Sequence, residues 1–208
     1  MATTLSFMRG FLKSYGPSIV KKRLWDEEFS GGHWNFIDET SGDCVYPYLE
    51  KYSKKGSVLD LGCGPGNTAN EMKASAYQKY VGVDVSEAAL EKARMRSRAN
   101  GRDVKNEFAQ GDMLKYVPGQ QFDVILFRES MYHVPLGKVK WVLDRYADYL
   151  RPGGVFIVRM NTTGGKFGRP KMMADVMEAE FDVLEKRQFG DALGPTVFVL
   201  RPMRSARV

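Results

Sequence analysis

A chain of 208 residues is long enough for one full hydrophobic core and short for two. Its 43% hydrophobic and 12% aromatic content is that of an ordinary globular protein, and no apolar run approaches the roughly 20 residues that span a bilayer. The net charge of +6 is compatible with nucleic acid, a membrane surface or an anionic substrate, but acids and bases are well mixed, so solvated helix faces are the plainer reading.

Two cysteines, Cys44 and Cys63, make neither a disulfide framework nor a zinc site. With two histidines and no Cys/His cluster, no metal is expected. A reduced, cytoplasmic setting is the simplest expectation. The first apolar stretch, residues 5–12, is interrupted by Arg9 and Gly10, so no secretory signal is expected.

In chain order, residues 1–52 read as helices with loops. No acid precedes Asp26, whereas Arg9, Lys13, Lys21, Lys22 and Arg23 are basic. Phe7, Met8, Phe11, Leu12 and Tyr15 recur there at roughly helical spacing. A packing helix or a lid fits this pattern; a membrane-surface helix and a targeting peptide are the alternatives. Gly16-Pro17 is expected to break one helix and start the next, since proline is tolerated in a first helical turn. Ser30-Gly31-Gly32 is a second break, and residues 44–52 form a short helix after Ser41-Gly42-Asp43.

After Lys54-Lys55-Gly56 strands and helices alternate. Residues 57–61 are an apolar strand, 67–76 a helix and 79–84 a second strand. Ser86 caps a helix over 87–100 that Gly101 ends. Residues 106–110 are a weak third strand. Residues 122–127 are apolar on both faces, as a central parallel strand requires. A helix over 136–150 is stopped by Arg151-Pro152-Gly153-Gly154, and 155–159 is a fifth strand. A helix over 171–180 follows, then an antiparallel pair, 181–187 with 196–200. The alternation predicts an α/β fold, a doubly wound parallel sheet with helices on both faces. The expected organisation is an N-terminal helical lid, 1–52, on a ligand-binding core, 53–208.

The informative segment is Val58-Leu59-Asp60-Leu61-Gly62-Cys63-Gly64-Pro65-Gly66-Asn67, where the first strand turns into a helix. Ligands of open α/β sheets bind at such strand ends. Glycines there let backbone approach a ligand and are expected to leave N–H groups facing it. Cys63 supplies a small side chain inside the turn, and Asp60 a carboxylate at its mouth. The spacing is G-x-G-x-G, with Asn67 where the dinucleotide fingerprint G-x-G-x-x-G has its third glycine, and no Gly-Lys-Ser/Thr phosphate loop is present. Asp84, in Val81-Gly82-Val83-Asp84-Val85-Ser86, ends the second strand about twenty residues later, where an acid can accept from both ribose hydroxyls.

These residues resemble the class I S-adenosylmethionine (SAM)-dependent methyltransferases, specifically their broad small-molecule methyltransferase-domain group. The resemblance runs from about Val58 to Val158, half the chain. It implies a Rossmann-like seven-stranded sheet with the last strand antiparallel. It implies that Gly62, Cys63, Gly64 and Gly66 form the loop around the methionine portion of SAM, and that Asp60 orients the ammonium through that loop. Asp84, with Val85 beside it, resembles the ribose-binding acid. Gln110-Gly111-Asp112-Met113 resembles the adenine motif, Asp112 accepting from the exocyclic amine and the Met113 backbone meeting the ring. Phe122-Asp123-Val124-Ile125-Leu126-Phe127 resembles the fourth motif, and Arg128 falls where the family contacts the methionine part. Leu150-Arg151-Pro152-Gly153-Gly154-Val155-Phe156-Ile157 looks like the usual approach to the fifth strand. Trp25-Asp26-Glu27-Glu28-Phe29 and Gly32-His33-Trp34-Asn35-Phe36 resemble an aromatic stretch that precedes the core in several small-molecule members, which puts Trp34 among the cofactor contacts.

Methyl transfer needs an acceptor lone pair in line with the sulfonium methyl, about 3 Å away, and a base only if the acceptor carries a proton. Residues just after the fourth strand stand nearest that point. His133 is the candidate base, because its ordinary pKa lies near neutrality. Glu129 is a candidate acceptor of a hydrogen bond from an amine or hydroxyl, or else an ion-pair partner of Arg128 or Arg159. Tyr132 lines the acceptor pocket or packs. The expected reaction is methylation of an oxygen or nitrogen atom of a small molecule. A nucleic-acid or protein methyltransferase is the first alternative, although no basic-aromatic platform is visible. A NAD(P)-dependent oxidoreductase, disfavoured by the glycine spacing, and a non-catalytic SAM-binding protein are the others.

Overall fold

A computed structural model describes residues 2–32, 34, 42–163, 168–191 and 193–203. Seven strands form one sheet: β1 (Ser57–Leu61), β2 (Lys79–Asp84), β3 (Asn106–Gln110), β4 (Phe122–Arg128), β5 (Leu150–Asn161), β6 (Phe181–Gln188) and β7 (Pro195–Pro202). Their order is β3-β2-β1-β4-β5-β7-β6. The first five strands pair in parallel, and β7 runs antiparallel to both β5 and β6. The doubly wound sheet with a late antiparallel insertion is therefore as the sequence led one to expect.

Alternate side chains of the central strands feed two cores, as a period of two requires. Leu59, Leu61, Ile125 and Phe127 face one layer, with Val142, Leu143 and Tyr146 of α6 (Val139–Ala147) and Met173 and Met177 of α7 (Arg169–Glu180). Val58, Val124 and Leu126 face the other, with Leu49 of α3 (Tyr46–Ser53) and Ala69 of α4 (Asn67–Glu71). Every residue of β1 is buried, Ser57 and Asp60 included, as a central strand covered on both faces requires.

Three local expectations change. The helix over 67–76 is instead α4 and a separate 3₁₀ turn, Ala74–Ala76, because Met72 adopts an extended ψ of 146°. The helix over 136–150 is a 3₁₀ turn, Leu136–Lys138, followed by the shorter α6. The segment Arg151–Gly154 does not lie between elements but belongs to β5: Phe122 pairs with Leu150, Val124 with Val155, and the irregularity between them accommodates the glycines. A Cβ at Gly154 would lie 3.0 Å from the Phe122 carbonyl oxygen, so the bulge needs glycine there.

Two helices precede the core, α1 (Ala2–Tyr15) and α2 (Ser18–Ser30). Gly16-Pro17 separates them as expected. A Cβ at Gly16 would sit 2.5 Å from the Leu12 carbonyl oxygen, and Pro17 stands at the N-cap of α2 with φ of −57°. Helix α2 lies across the ends of β2 and β3. Its Asp26 accepts from the Ser86 hydroxyl (2.7 Å) and the Ala88 N–H (3.2 Å) at the start of α5 (Glu87–Ala99). Its Ser18 and Lys21 both donate to Asp112, just beyond β3. Among the described residues no helix is long and apolar enough to cross a membrane.

Candidate active site

Beneath α2, at the carboxyl ends of the parallel strands, lies a cavity of about 730 Å³. The loop after β1 forms its floor. Gly62, Gly64 and Gly66 have φ of +83°, +53° and +77°, the left-handed region that favours glycine. A Cβ at Gly62 would meet the Ser130 Cβ at 2.5 Å. At Gly64 the nearest atom is Phe29 Cζ at 3.8 Å, so this backbone is open toward the cavity. Gly66 lies outside the lining: there a Cβ would strike Ala93 of α5 at 2.8 Å, and glycine serves helix packing.

The loop's N–H groups do not face the cavity, contrary to expectation. Gly62 and Cys63 both donate to the Val83 carbonyl (2.8 and 3.1 Å), Gly64 to the Asp84 carboxylate (2.9 Å) and Gly66 to the Cys63 carbonyl (3.1 Å). Pro65 has no N–H. A pyrophosphate would find no free donor in this turn. Cys63 fills the space left by Gly82, where a Cβ would lie 2.8 Å from its Sγ, and burial raises its thiol pKa, so it packs and is no nucleophile.

Asp60 is 1% exposed. Its Oδ2 accepts from the Tyr80 hydroxyl at 2.5 Å, and its Oδ1 is buried with no partner among the described residues. Burial raises its pKa to about 6, against the pull of Tyr80, Arg128 and Thr68. Asp84 accepts the Gly64 and Ser86 N–H groups, one on each oxygen, which leaves each oxygen a second acceptor position. Val85 and Met113 line the cavity beside it. Asp112 accepts from Ser18 (2.9 Å), Lys21 (3.0 Å) and the Leu114 N–H (3.0 Å). Burial would raise its pKa, but these donors hold it below the ordinary value.

Arg128 donates from Nε and Nη2 to Asp43, at 3.1 and 2.9 Å. Asp43 also pairs with Arg159 at 3.4 Å, and Arg159 in turn pairs with Glu129. Glu129 has φ of +54°, which is unusual for a side-chain-bearing residue and common at functional sites. Its N–H donates to the Arg159 carbonyl. Ser130, 3% exposed, has an Oγ without partner among the described residues. The Tyr132 hydroxyl is engaged by both the carbonyl and the N–H of Asn161, so it acts as a fixed wall.

The roof is aromatic. Trp25, Phe29 and Trp34 stand 6.0 to 6.4 Å from one another, and the Trp34 Nε1 donates to Glu28. His133 meets Trp25 edge-on at 4.8 Å. Burial, then Lys13 and Arg169, lower the His133 pKa to about 4, so its imidazole is neutral at pH 7. His33, Asn35 and Phe36 lie outside the described residues, as do residues 164–167.

The family profile described as "Methyltransferase domain" matches residues 58–154, the segment that builds this floor. By that match, residues 58–154 belong to the methyltransferase-domain family. It is 31% identical over 143 residues to the 27-O-demethylrifamycin SV methyltransferase of Amycolatopsis mediterranei, covering 64% of this chain and 50% of that one. It is 27% identical over 181 residues to the protein-lysine N-methyltransferase EFM4 of Saccharomyces cerevisiae, covering 73% and 79%. The matched segments span 50%, 26% and 58% of the length of the first three curated relatives. Among solved structures, the Burkholderia thailandensis 1,6-didemethyltoxoflavin-N1-methyltransferase, with bound 1,6-didemethyltoxoflavin and S-adenosylhomocysteine (SAH), superposes with a TM-score of 0.70 at 17% identity, covering 89% of this chain and 88% of that one. That likeness is one of fold.

The cavity residues fit SAM, the cofactor that the sequence resemblance implies. Among the described residues the lining carries five carboxylates (Asp43, Asp60, Asp84, Asp112, Glu129) and four cations (Lys13, Lys21, Arg128, Arg159), an excess of one negative charge. SAM carries a sulfonium, an ammonium and a carboxylate, one net positive charge. The Asp60 Oδ1, without partner among the described residues, suits the ammonium, and a glycine turn whose own N–H groups are already bonded suits a ligand without phosphates. The Glu129–Arg159 ion pair and the place of Ser130 just after the fourth strand agree with the sequence analysis. Ser18, Lys21, Asp26 and Asp43 are partners of the site that the sequence does not signal, because nothing local tells which distant residue a lone charge meets.

Proposed function

We propose that this chain transfers the SAM methyl group to an oxygen or nitrogen atom of a small-molecule acceptor. The observation that carries the reading is the buried Asp60 carboxylate, with one oxygen unpartnered, beside a glycine turn whose N–H groups are all consumed. When bound, the cofactor supplies an electrophilic methyl on sulfur. Asp60, with the Gly62–Gly64 backbone around it, holds the ammonium; Arg128 meets the carboxylate; Asp84, beside Val85, accepts from the ribose; Asp112 and Met113 take the adenine. Cys63 and Gly66 keep the turn in shape, and Trp34 closes the roof.

On the acceptor side Tyr132 forms a wall and Glu129, tied to Arg159, accepts a hydrogen bond from the incoming group. His133 orients the acceptor as a neutral imidazole; with a pKa of about 4 it is a weak base. Helices α1 and α2, within residues 1–52, serve as a lid on the core, excluding water from the transfer, whereas α3 packs into that core. The free thiols of Cys44 and Cys63 suit a reducing, cytoplasmic setting.

Calorimetric titration with SAH, with NAD as control, tests the cofactor assignment. Binding of SAH alone supports it, and binding of NAD alone overturns it. The lid is tested by limited proteolysis: cleavage within residues 1–32 slows when SAH is added, and an unchanged pattern rejects the lid.

A further inference from the structure

Among the described residues, two buried side-chain oxygens have no hydrogen-bond partner: Asp60 Oδ1 and Ser130 Oγ. Both residues line the cavity. They belong to the carboxyl ends of neighbouring parallel strands, since β1 pairs with β4 and Asp60 lies opposite Leu126. Ser130 follows the end of β4 and packs against the turn that follows β1. A Cβ at Gly62 would lie 2.5 Å from Ser130 Cβ and 3.3 Å from its Oγ.

Ser130 also has a local use that it does not take. It stands at the N-cap of the 3₁₀ turn Met131–His133, where a serine hydroxyl commonly accepts a backbone N–H, and here its side chain makes no such bond. Its carbonyl holds the turn instead, accepting from the His133 N–H at 3.0 Å. A hydroxyl buried without a partner is unfavourable, and one that faces a ligand cavity is accounted for when the ligand supplies the missing bond.

We propose that Ser130 binds the amino-acid end of the cofactor: its Oγ accepts one N–H of the ammonium while Asp60 Oδ1 takes another. This rests on the SAM reading above. An ammonium has three donors and no acceptor, so one such group satisfies both oxygens. A carboxylate would instead face the Asp60 charge. The ribose is assigned to Asp84, which meets the turn further along, at the Gly64 N–H. The ammonium and the sulfonium belong to one short chain, so holding the first restricts the place of the second.

The test is calorimetric binding of SAH and of its deaminated analogue, which keeps the carboxylate, the sulfur and the adenosine and lacks the ammonium. Ser130→Ala is expected to weaken SAH about tenfold, as loss of a hydrogen bond to a charged group does, and to leave the affinity of the analogue unchanged. Without ligand, the melting temperature of this variant should equal or exceed that of the unaltered chain, because only an unpartnered oxygen is removed. Unchanged SAH affinity, an equal loss for SAH and the analogue, or a lower melting temperature overturns the inference and leaves the SAM reading standing. If the unaltered chain does not bind SAH, the SAM reading falls and the role of Ser130 with it.

Discussion

Lys21 of α2 and Asp112, beyond the end of β3, form an ion pair of 3.0 Å between side chains only 7% and 6% exposed. The resemblance assigns Asp112 to the adenine amine, so one carboxylate serves both the helix that covers the cavity and the proposed ligand inside it. Ser18 donates to the same oxygen, and Leu114 to the other. The covering helix is thus fastened to the cofactor side of the site and not to an indifferent surface.

Removing one member of such a pair strands the other. Lys21→Met is expected to destabilise the fold by about 3 kcal/mol, and Lys21→Met with Asp112→Leu to recover most of that loss. Because Asp112 titrates below its ordinary value, the pair's contribution is present above about pH 4 and lost as pH falls through the folded pKa. Urea denaturation of the unaltered chain and the two variants at neutral pH checks this; a double variant no more stable than the single one would contradict it.

Asp60 carries the opposite sign. Its pKa is raised to about 6, so its contribution to stability is full below about pH 4 and lost as pH rises through 6. Asp60→Asn keeps an acceptor for Tyr80 and does not ionise. It is expected to raise apo-protein stability by about 2 kcal/mol at pH 7, with no gain at pH 4, and to weaken SAH at least tenfold. Melting curves at the two pH values, paired with SAH titration, separate these effects.

Gly62→Ala forces a Cβ to within 2.5 Å of Ser130 Cβ at a φ of +83°. A loss of about 2 kcal/mol or more and of SAH binding is expected. Gly119→Ala, where nothing lies within 4 Å, is the control and should change neither. Equal melting temperatures for the two variants would show that the turn tolerates a side chain.

His133 resists protonation in the fold. Its lowered pKa means that stability falls as pH drops from about 6.5 toward 4, by about 2 kcal/mol over that interval. His133→Gln should flatten this part of the pH–stability curve, measured by denaturant midpoint. A curve of unchanged slope would show that His133 does not titrate there.

The sheet was legible because its signals are local. β1 and β4 are apolar on both faces, and Ser86 caps α5 through the Ala89 N–H as its position suggests. The strand-end acids Asp60, Asp84 and Asp112 were legible because a glycine turn and strand ends fix where they stand. Arg151–Gly154 misled because a proline and two glycines read as a stop, whereas a bulge opposite Phe122 takes them into β5. Lys21 and Asp26 gave no signal of their partners, which lie 91 and 60 residues away. The direction of the turn's N–H groups depends on Val83 and Asp84 of the neighbouring strand, and no spacing rule within the turn contains it.

The same turn bears on how ligand preference can be re-engineered. Gly62, Cys63 and Gly64 are stitched to β2 through main-chain donors, so discrimination against phosphate is written in the backbone register of two strands. Exchanging side chains along the cavity would tune the strength of binding. Converting this floor into a cradle for a dinucleotide would require lifting the loop off Val83 and rebuilding its path, an insertion or deletion in place of a point change.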